Sequence, residues 1–458
     1  MRSIRNARWL LWALLAGGCT DRQLAVIPDD PGVIPTENND LAVNLDLAPP
    51  SKPCHLVSVG AAVQTMHFDN PQSQWRCEGV LGLPENRHVV HYGTVQLRFG
   101  GWSDPAIHAR EYDVSVWPPT PVAAESELSA SMHSPPTMYL PLPGTMGVVF
   151  WTDNDGGGPV GVKYRTITPG SWTLGPDLFL AENHALLSNP VETSKGDQFA
   201  LVTSAPAWPI LPSSPPGTYV STFTVDGSLL QRQLIGPAQN RDNIALGRTD
   251  STILLVTTGS TCNGDAGCTN TSFEVQRVTG GNSTTAPITL EPAASIKAPI
   301  SGSTATGLNL LSDHDGHHFL TWWEYGDART ILYAMALHAD GKPAGPAEVW
   351  LSTPYLPYTR QATPSIGPLG VVYPVALSIA VDAGGYLQET HLLQRQLVEN
   401  APINDTVLVS HRSSWAIATT QFDNPRTLIL GYSDYAFMSD KIGGYGMLAK
   451  FTCEEDAP

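Results

Sequence analysis

Short apolar segments recur along this sequence at a nearly constant spacing, and this feature most constrains the fold. Seven of them are centred on Leu97, Val149, Leu201, Leu254, Leu320, Val372 and Ile429. The intervals between successive centres are 52, 52, 53, 66, 52 and 57 residues. Six of the seven follow closely after a turn signal such as Pro143-Gly144. A unit repeated with a period of about 50 residues indicates a repeat architecture.

Each unit continues with further strand and turn signals. The segment from Tyr219 to Asp226 has the same spacing as the segment from Tyr333 to Asp340, and a glycine follows both. Alternation of period two that ends in Asp-Gly predicts a β-hairpin. Glycine (41) and proline (39) together make 80 of the 458 residues. This content favours many short strands joined by turns over a helical bundle.

Four strands per unit, repeated seven times, resembles a β-propeller. Residues 54–458 make 405 residues, or about 58 per unit, which suits seven blades. We therefore predict an all-β protein with a seven-bladed β-propeller over residues 54–458. The alternative is two β-sandwich domains, although a sandwich has no reason to keep a spacing of about 52 residues.

The cysteines indicate how the ring closes. The last unit supplies three strands, and a blade that lacks its fourth strand leaves an open edge. Residues 55–60 are predicted to supply the missing outer strand, which brings Cys54 beside Cys453 in a predicted disulfide. The alternative pairing is Cys54 with Cys77. A second disulfide is predicted between Cys262 and Cys268, which flank a tight loop.

The first residues read as a bacterial export signal. Three arginines precede an apolar stretch that is too short to span a bilayer. The sequence from Leu15 to Cys19 resembles the lipobox of bacterial lipoproteins, and the alternative is an ordinary signal peptide. The resemblance implies a signal peptide over residues 1–18, lipid on Cys19 and, from Thr20, a place at the outer membrane. Residues 19–53 are acidic, rich in proline and without aromatic residues, which predicts a disordered tether.

Charge and motifs exclude several function classes. The net charge of −17 excludes a general nucleic-acid binder and argues against adsorption to anionic lipids, so the lipid anchor is the predicted contact with the membrane. We find no nucleophile elbow, phosphate-binding loop or dinucleotide fingerprint, and we predict no cofactor. The runs Asp153–Gly158 and Asp313–His318 carry oxygen and imidazole ligands, but turns explain both, and no metal site is predicted.

Four units carry an aromatic residue, any residue and then a carboxylate near the end of the second strand. They are Trp102-Ser103-Asp104, Trp151-Thr152-Asp153, Trp322-Trp323-Glu324 and Tyr432-Ser433-Asp434. Trp208, Tyr325 and Tyr435 lie in the corresponding loops, which share one rim of a propeller. One interpretation is structural, with aromatics packed between blades and acids capping loop amides. The other is a rim that binds a carbohydrate or protein ligand, since aromatic faces stack on sugar rings.

The functional prediction is a lipid-anchored envelope protein that acts as a binding or assembly module through these rim loops. The alternative is a carbohydrate-active hydrolase that uses rim carboxylates such as Asp153 and Glu324 as acid and nucleophile or base. The sequence does not decide whether the protein is an enzyme.

Overall fold

The computed structural model consists of β-strands and turns, with no α-helix among the residues that it describes. Those residues are 54–66, 73–83, 87–97, 106–129, 134–142, 145–152, 161–168, 171, 173–193, 197–205, 215–238, 243–249, 252–262, 268–298, 304–313, 316–325, 329–354, 361–382, 385–397, 401–410, 413–422, 426–438 and 441–455. Within these ranges no helix has the length and apolar character needed to cross a membrane.

The strands, numbered in chain order, form seven small sheets. The first two, β1 (Cys54–Ser58) and β2 (Val63–Met66), belong to the last sheet. Blade 1 contains β3 (Ser73–Gly82), β4 (His88–Leu97), β5 (Ala106–Asp113), β6 (Thr120–Pro121) and β7 (Ser126–Ser129). Blade 2 contains β8 (Ser134–Leu142), β9 (Thr145–Thr152), β10 (Gly161–Thr168), β11 (Thr173–Leu174) and β12 (Leu178–Glu182). Blade 3 contains β13 (Ala185–Leu186), β14 (Val191–Glu192), β15 (Gln198–Ala205), β16 (Gly217–Thr224) and β17 (Leu229–Gly236).

The remaining sheets follow the same order. Blade 4 contains β18 (Ile244–Arg248), β19 (Ile253–Cys262), β20 (Cys268–Thr279) and β21 (Thr289–Lys297). Blade 5 contains β22 (Thr304–Ser312), β23 (His318–Tyr325), β24 (Thr330–Leu337) and β25 (Glu348–Thr353). Blade 6 contains β27 (Ser365–Gly367), β28 (Gly370–Asp382), β29 (Gly385–Arg395) and β30 (Ile403–Ser410). Blade 7 contains β26 (Gln361–Thr363), β31 (Ser413–Phe422), β32 (Thr427–Met438), β33 (Lys441–Glu455), β1 and β2.

Apolar side chains fill the seams between neighbouring blades, and there is one such cluster for each of the seven seams. Because side chains alternate along the second strand, they contribute to the apolar clusters on both sides of a blade. Trp322 joins the cluster between blades 4 and 5, whereas the adjacent Trp323 joins the cluster between blades 5 and 6. The last seam joins blade 7 to blade 1, so the ring is closed. The protein is a seven-bladed β-propeller, and the prediction of the fold is confirmed.

The N-terminal strand closes the ring as predicted. Strand β1 pairs antiparallel with β33 and becomes the outer strand of blade 7. Cys54 and Cys453 form a disulfide with their Cα atoms 5.4 Å apart, so the alternative pairing of Cys54 with Cys77 is wrong. Cys262 and Cys268 lie opposite each other in the register of β19 and β20. Their side chains are outside the described part of the structure, and the second disulfide stays a prediction.

In blades 3 and 5 the turn between the third and fourth strands contacts the preceding blade. The Asp-Gly turn of blade 3 reaches blade 2, where Tyr164 donates a hydrogen bond to the carbonyl of Val225 over 2.7 Å. In blade 5, Gly341 has a φ of 85°, and a Cβ there would meet Val275, Ala293 and Leu254 of blade 4 within 3.1 Å. A left-handed backbone and close contact both favour glycine. The matching Asp-Gly pairs thus mark turns that contact the preceding blade.

Candidate functional site at one face of the propeller

The ends of the second strands define one face of the ring. Because neighbouring strands in each blade are antiparallel, second strands end and third strands begin at the same face, which we call the 2–3 face. We call the opposite face, where third strands lead into fourth strands, the 3–4 face. The predicted rim residues belong to segments that start at the 2–3 face.

Several predicted site residues lie outside the described residues. These are Trp102, Asp104, Asp153 and Trp208. For Trp151 in β9 and Tyr435 in β32 the structure describes the backbone, and the side chains lie outside the described part. Glu324, Tyr325 and Asp434 are described together with their side chains. The predicted ligand contacts of this set stay predictions.

In blade 5 the aromatic and the acid of the motif form one buried pair. Trp322 and Glu324 are both fully buried in β23, and the Trp322 indole nitrogen donates a hydrogen bond to Glu324 Oε1 over 2.9 Å. The Trp322 ring stacks on Tyr333, with 5.6 Å between ring centroids. Burial, and next the charge of Glu324, raise the pKa of Tyr333. This geometry corresponds to the structural interpretation, in which the motif packs between blades.

In blade 7 the aromatic residue of the motif is buried in a seam, and the acid is half-buried. Tyr432 is 5% exposed and belongs to the cluster between blades 6 and 7. Burial, followed by the charge of Asp434, raises the pKa of Tyr432 to about 12. Asp434 itself is half-buried, as is Tyr325 at the end of β23. Of the predicted residues with described side chains, these two retain access to solvent near the 2–3 face.

A second polar group occupies the seam between blades 2 and 3. It consists of His184, Thr203, Tyr219 and Arg232, which we call the His184 site. His184 follows β12, and its Nδ1 lies 2.9 Å from the Thr203 hydroxyl. The imidazole lies against the Tyr219 ring, with 5.2 Å between centroids. Register brings Thr203 opposite Tyr219 on the same face of blade 3.

Arg232 completes the His184 site from the outermost strand. Its Nε donates to the Ser221 hydroxyl over 3.2 Å, and its Nη2 donates to the Leu180 carbonyl of blade 2 over 2.8 Å. Both acceptors are neutral. Burial, and next the charge of Arg232, lower the pKa of His184 to about 4. The imidazole is therefore neutral at neutral pH, beside a half-buried cation.

The sequence did not reveal the His184 site. Tyr219 was noted only as part of a strand pattern, and His184 and Arg232 are 48 positions apart, from 184 to 232. The register of three strands and one connection between blades brings them together. Asn183, with a φ of 58°, is a local irregularity of that connection. No spacing rule in the sequence points to such a group.

No metal centre is found among the described residues, which contain no group of three or more His, Cys, Asp or Glu side chains suited to hold an ion. The run from Asp313 to His318 is interpreted as a hairpin turn. The Asp313 amide donates to the His317 carbonyl over 3.1 Å, and the His317 amide donates to Asp313 Oδ1 over 2.8 Å. The glycine-rich run after Asp153 lies outside the described residues.

Comparisons with known proteins concern the fold. No family model and no curated protein matches this chain. Among solved structures, it is similar to an oligogalacturonate lyase in complex with manganese, at 10% identity over 88% of this chain and 97% of the other, with a TM-score of 0.48. It is similar to the polysaccharide lyase Uly1 at 10% identity over 95% and 96%, with a TM-score of 0.45. An α-L-arabinanase of Penicillium chrysogenum has 8% identity over 85% and 98%, with a TM-score of 0.42.

Proposed function

We propose that this protein is a lipid-anchored envelope propeller that binds a carbohydrate at its 2–3 face. The observation that carries the proposal is the convergence of all seven second strands on this face. Four of those strands end in, or lead into, an aromatic residue followed by a carboxylate. Trp322, Glu324 and Tyr432 are used in packing. Tyr325 and Asp434 are half-buried near this face, and the connecting segments carry the other residues of the motif.

Carbohydrate is the ligand class that this combination suits best. An indole or phenol ring offers a flat apolar surface for a sugar ring, and carboxylates accept hydrogen bonds from sugar hydroxyls. The segment that leads from Leu97 contains Trp102 and Asp104, the one from Thr152 contains Asp153, and the one from Ala205 contains Trp208. A protein ligand would use the same aromatic residues but has less need of the acids.

Cleavage of the bound carbohydrate is the second candidate, and it is the activity in the names of the three solved propellers reported above. A shared fold does not carry an activity with it. Hydrolysis needs two carboxylates about 5–9 Å apart with access to substrate. Glu324 is buried and accepts a hydrogen bond from the Trp322 indole nitrogen. The other carboxylates of the motif are Asp104, Asp153 and Asp434.

The test is a panel of neutral and acidic polysaccharides offered to the purified protein, with binding and release of new sugar ends measured in parallel. Trp208→Ala is expected to weaken binding by about 1–3 kcal/mol, as for stacked aromatics at binding hot spots. Trp117→Ala is the matched control, because Trp117 lies between β5 and β6 at the 3–4 face. Equal binding by both variants would contradict the proposed location, and release of sugar ends would favour the second candidate.

The lipid anchor is tested separately. We propose acylation of Cys19 at the outer membrane, with residues 19–53 leading to the closing strand β1. Cys19→Ala is expected to release the protein into the soluble fraction or to leave an uncleaved precursor. Unchanged membrane partition together with an unchanged mass would contradict the anchor.

A further inference from the structure

Polarity changes along one face of blade 3. Towards the 3–4 face, Phe199 and Phe223 are paired in register and pack against blade 2. Two steps further towards the 2–3 face the register pair is Leu201 and Ser221, and then Thr203 and Tyr219. Ser221 is in turn opposite Arg232. The seam between blades 2 and 3 therefore begins as an apolar core and ends in the His184 site.

The guanidinium of Arg232 has no acidic partner among the described residues. Some other arginines on blade surfaces have such a partner: Arg277 lies 2.8 Å from Glu291, and Arg165 lies 2.7 Å from Asp177. Arg232 is half-buried, and within the described part of the chain it bonds only to a hydroxyl and a carbonyl. Burial lowers the pKa of the Arg232 guanidinium, since a charge removed from water without a counter-charge is costly.

One ring nitrogen of His184 has a hydrogen-bond partner, and the other has none within the described part of the chain. His184 is 1% exposed, and its Nε2 has no hydrogen-bond partner within the described part of the chain. Buried polar atoms are normally paired, so an exception points to a missing partner. When the Thr203 hydroxyl donates to Nδ1, the proton of the neutral ring is on Nε2, which is then a donor. An acceptor is the partner that such an atom needs.

We propose that the His184 site binds a carboxylate, and that its ligand is an acidic saccharide of the uronate type. A carboxylate supplies what both groups lack: a negative charge for Arg232 and an acceptor for His184 Nε2. One cation and one neutral imidazole suit a monoanion better than a dianion such as phosphate, in a protein whose net charge is −17. The saccharide part rests on the proposed function, whereas the carboxylate part does not.

The experiment compares two sugars that differ in one group. Glucuronate and glucose are titrated into the purified protein, and into Arg232→Gln and Arg277→Gln, by calorimetry. Arg277→Gln is the matched control, because that arginine already has a carboxylate partner. We expect wild type to bind glucuronate at least tenfold more tightly than glucose. We expect Arg232→Gln to lose at least tenfold for glucuronate and Arg277→Gln to stay within twofold of wild type.

A second measurement does not depend on the variants. The His184 ring signals are followed by NMR in wild type during addition of glucuronate, acetate or glucose. Glucuronate and acetate are expected to shift the signals in a saturable way, and glucose is not. Equal effects of glucuronate and glucose, or unchanged glucuronate affinity in Arg232→Gln, would overturn the inference.

The outcomes separate this inference from the proposed function. If acetate shifts the His184 signals but no saccharide of the panel binds, the carboxylate site stands and the carbohydrate function fails. If polysaccharides bind and Arg232→Gln binds them as wild type does, the carbohydrate function stands and the His184 site has only a structural role.

Discussion

Blades 3 and 5 use the same place in the fold in opposite ways. Towards the 2–3 end of the second strand, on the face turned to the preceding blade, blade 5 carries Trp322 and then Glu324, and blade 3 carries Thr203 at the position that Trp322 has in blade 5. Glu324 accepts a hydrogen bond from Trp322 on the same strand. The corresponding region of blade 3 contains Arg232 and the Nε2 of His184, which have no acidic partner and no hydrogen-bond partner, respectively, among the described residues.

The difference distinguishes a structural motif in blade 5 from a candidate ligand site in blade 3. Buried polar groups that satisfy each other stabilise a seam and have nothing left for a ligand. Buried polar groups that lack a hydrogen-bond partner persist only where other interactions compensate for them or where they serve a function. The recurring aromatic and acid of blade 5 are therefore structural, and the less regular group in blade 3 is the better place to seek a ligand.

The largest expected effect follows from Trp322→Ala. The substitution opens a cavity between blades 4 and 5 and removes the indole donor of Glu324, and we expect a loss of about 3–5 kcal/mol in the free energy of unfolding. Chemical denaturation measures it. Val349→Ala, on the same blade and 51% exposed, is the control and should change stability by less than about 0.5 kcal/mol. A small loss for Trp322→Ala would refute the closed pair of blade 5.

The closing blade, blade 7, extends the comparison to a covalent bond. The Cys54–Cys453 disulfide joins residues 399 positions apart, and Gln396 also bonds to the Cys54 carbonyl over 2.6 Å. We expect Cys453→Ser to lower the free energy of unfolding by about 2–4 kcal/mol. Cys54→Ser should give the same loss, and the double variant should add little to either. Additive losses would show that the two cysteines act independently.

The pH dependence of stability tests whether the His184 imidazole of blade 3 is neutral in the folded protein. The pKa of His184 is about 4 in the folded protein, below its ordinary value of 6.5, so the unfolded chain binds a proton first as the pH falls. Its contribution to stability is therefore full above pH 6.5, is lost between pH 6.5 and 4, and amounts to at most about 3 kcal/mol. Unfolding measured across that range should show a flatter pH dependence in His184→Gln. Identical slopes in variant and wild type would contradict a buried neutral His184.

The smallest expected effect concerns the 3–4 face, where a turn contacts the preceding blade and no ligand site is proposed. Gly341→Ala forces a side chain into a left-handed backbone beside blade 4, and we expect a loss of about 1–2 kcal/mol. Gly345→Ala in the same connection has no atom within 4 Å of the new Cβ and serves as the control. Carbohydrate binding at the opposite face should be the same in both variants. Weaker binding in Gly341→Ala alone would link the two faces.

Much of the fold could be predicted from the sequence because it repeats. Each of the seven apolar centres, from Leu97 to Ile429, lies in the second strand of its blade. The closing strand was predicted from a deficit in strand number, and the pairing of Cys54 with Cys453 followed from it. These features depend on local sequence patterns and on the number of predicted strands, and both can be read from a single sequence.

The site could not be predicted in the same way. The aromatic and acid pattern drew attention to Trp322 and Glu324, since alternation tells which residues share a side but not how deep in the seam between blades they lie. The His184 site depends on register shifts in the pairing of β16 with β17 and on the connection after β12. Neither leaves a periodic trace in the sequence.

The most direct test of the account is a crystal structure of the protein with glucuronate bound. We expect the carboxylate of the sugar within hydrogen-bond distance of both the Arg232 guanidinium and His184 Nε2. We expect the sugar ring to extend towards the 2–3 face, with Trp322 and Glu324 unchanged in their seam. A carboxylate bound elsewhere, with Arg232 still bonded only to Ser221 and Leu180, would contradict the account.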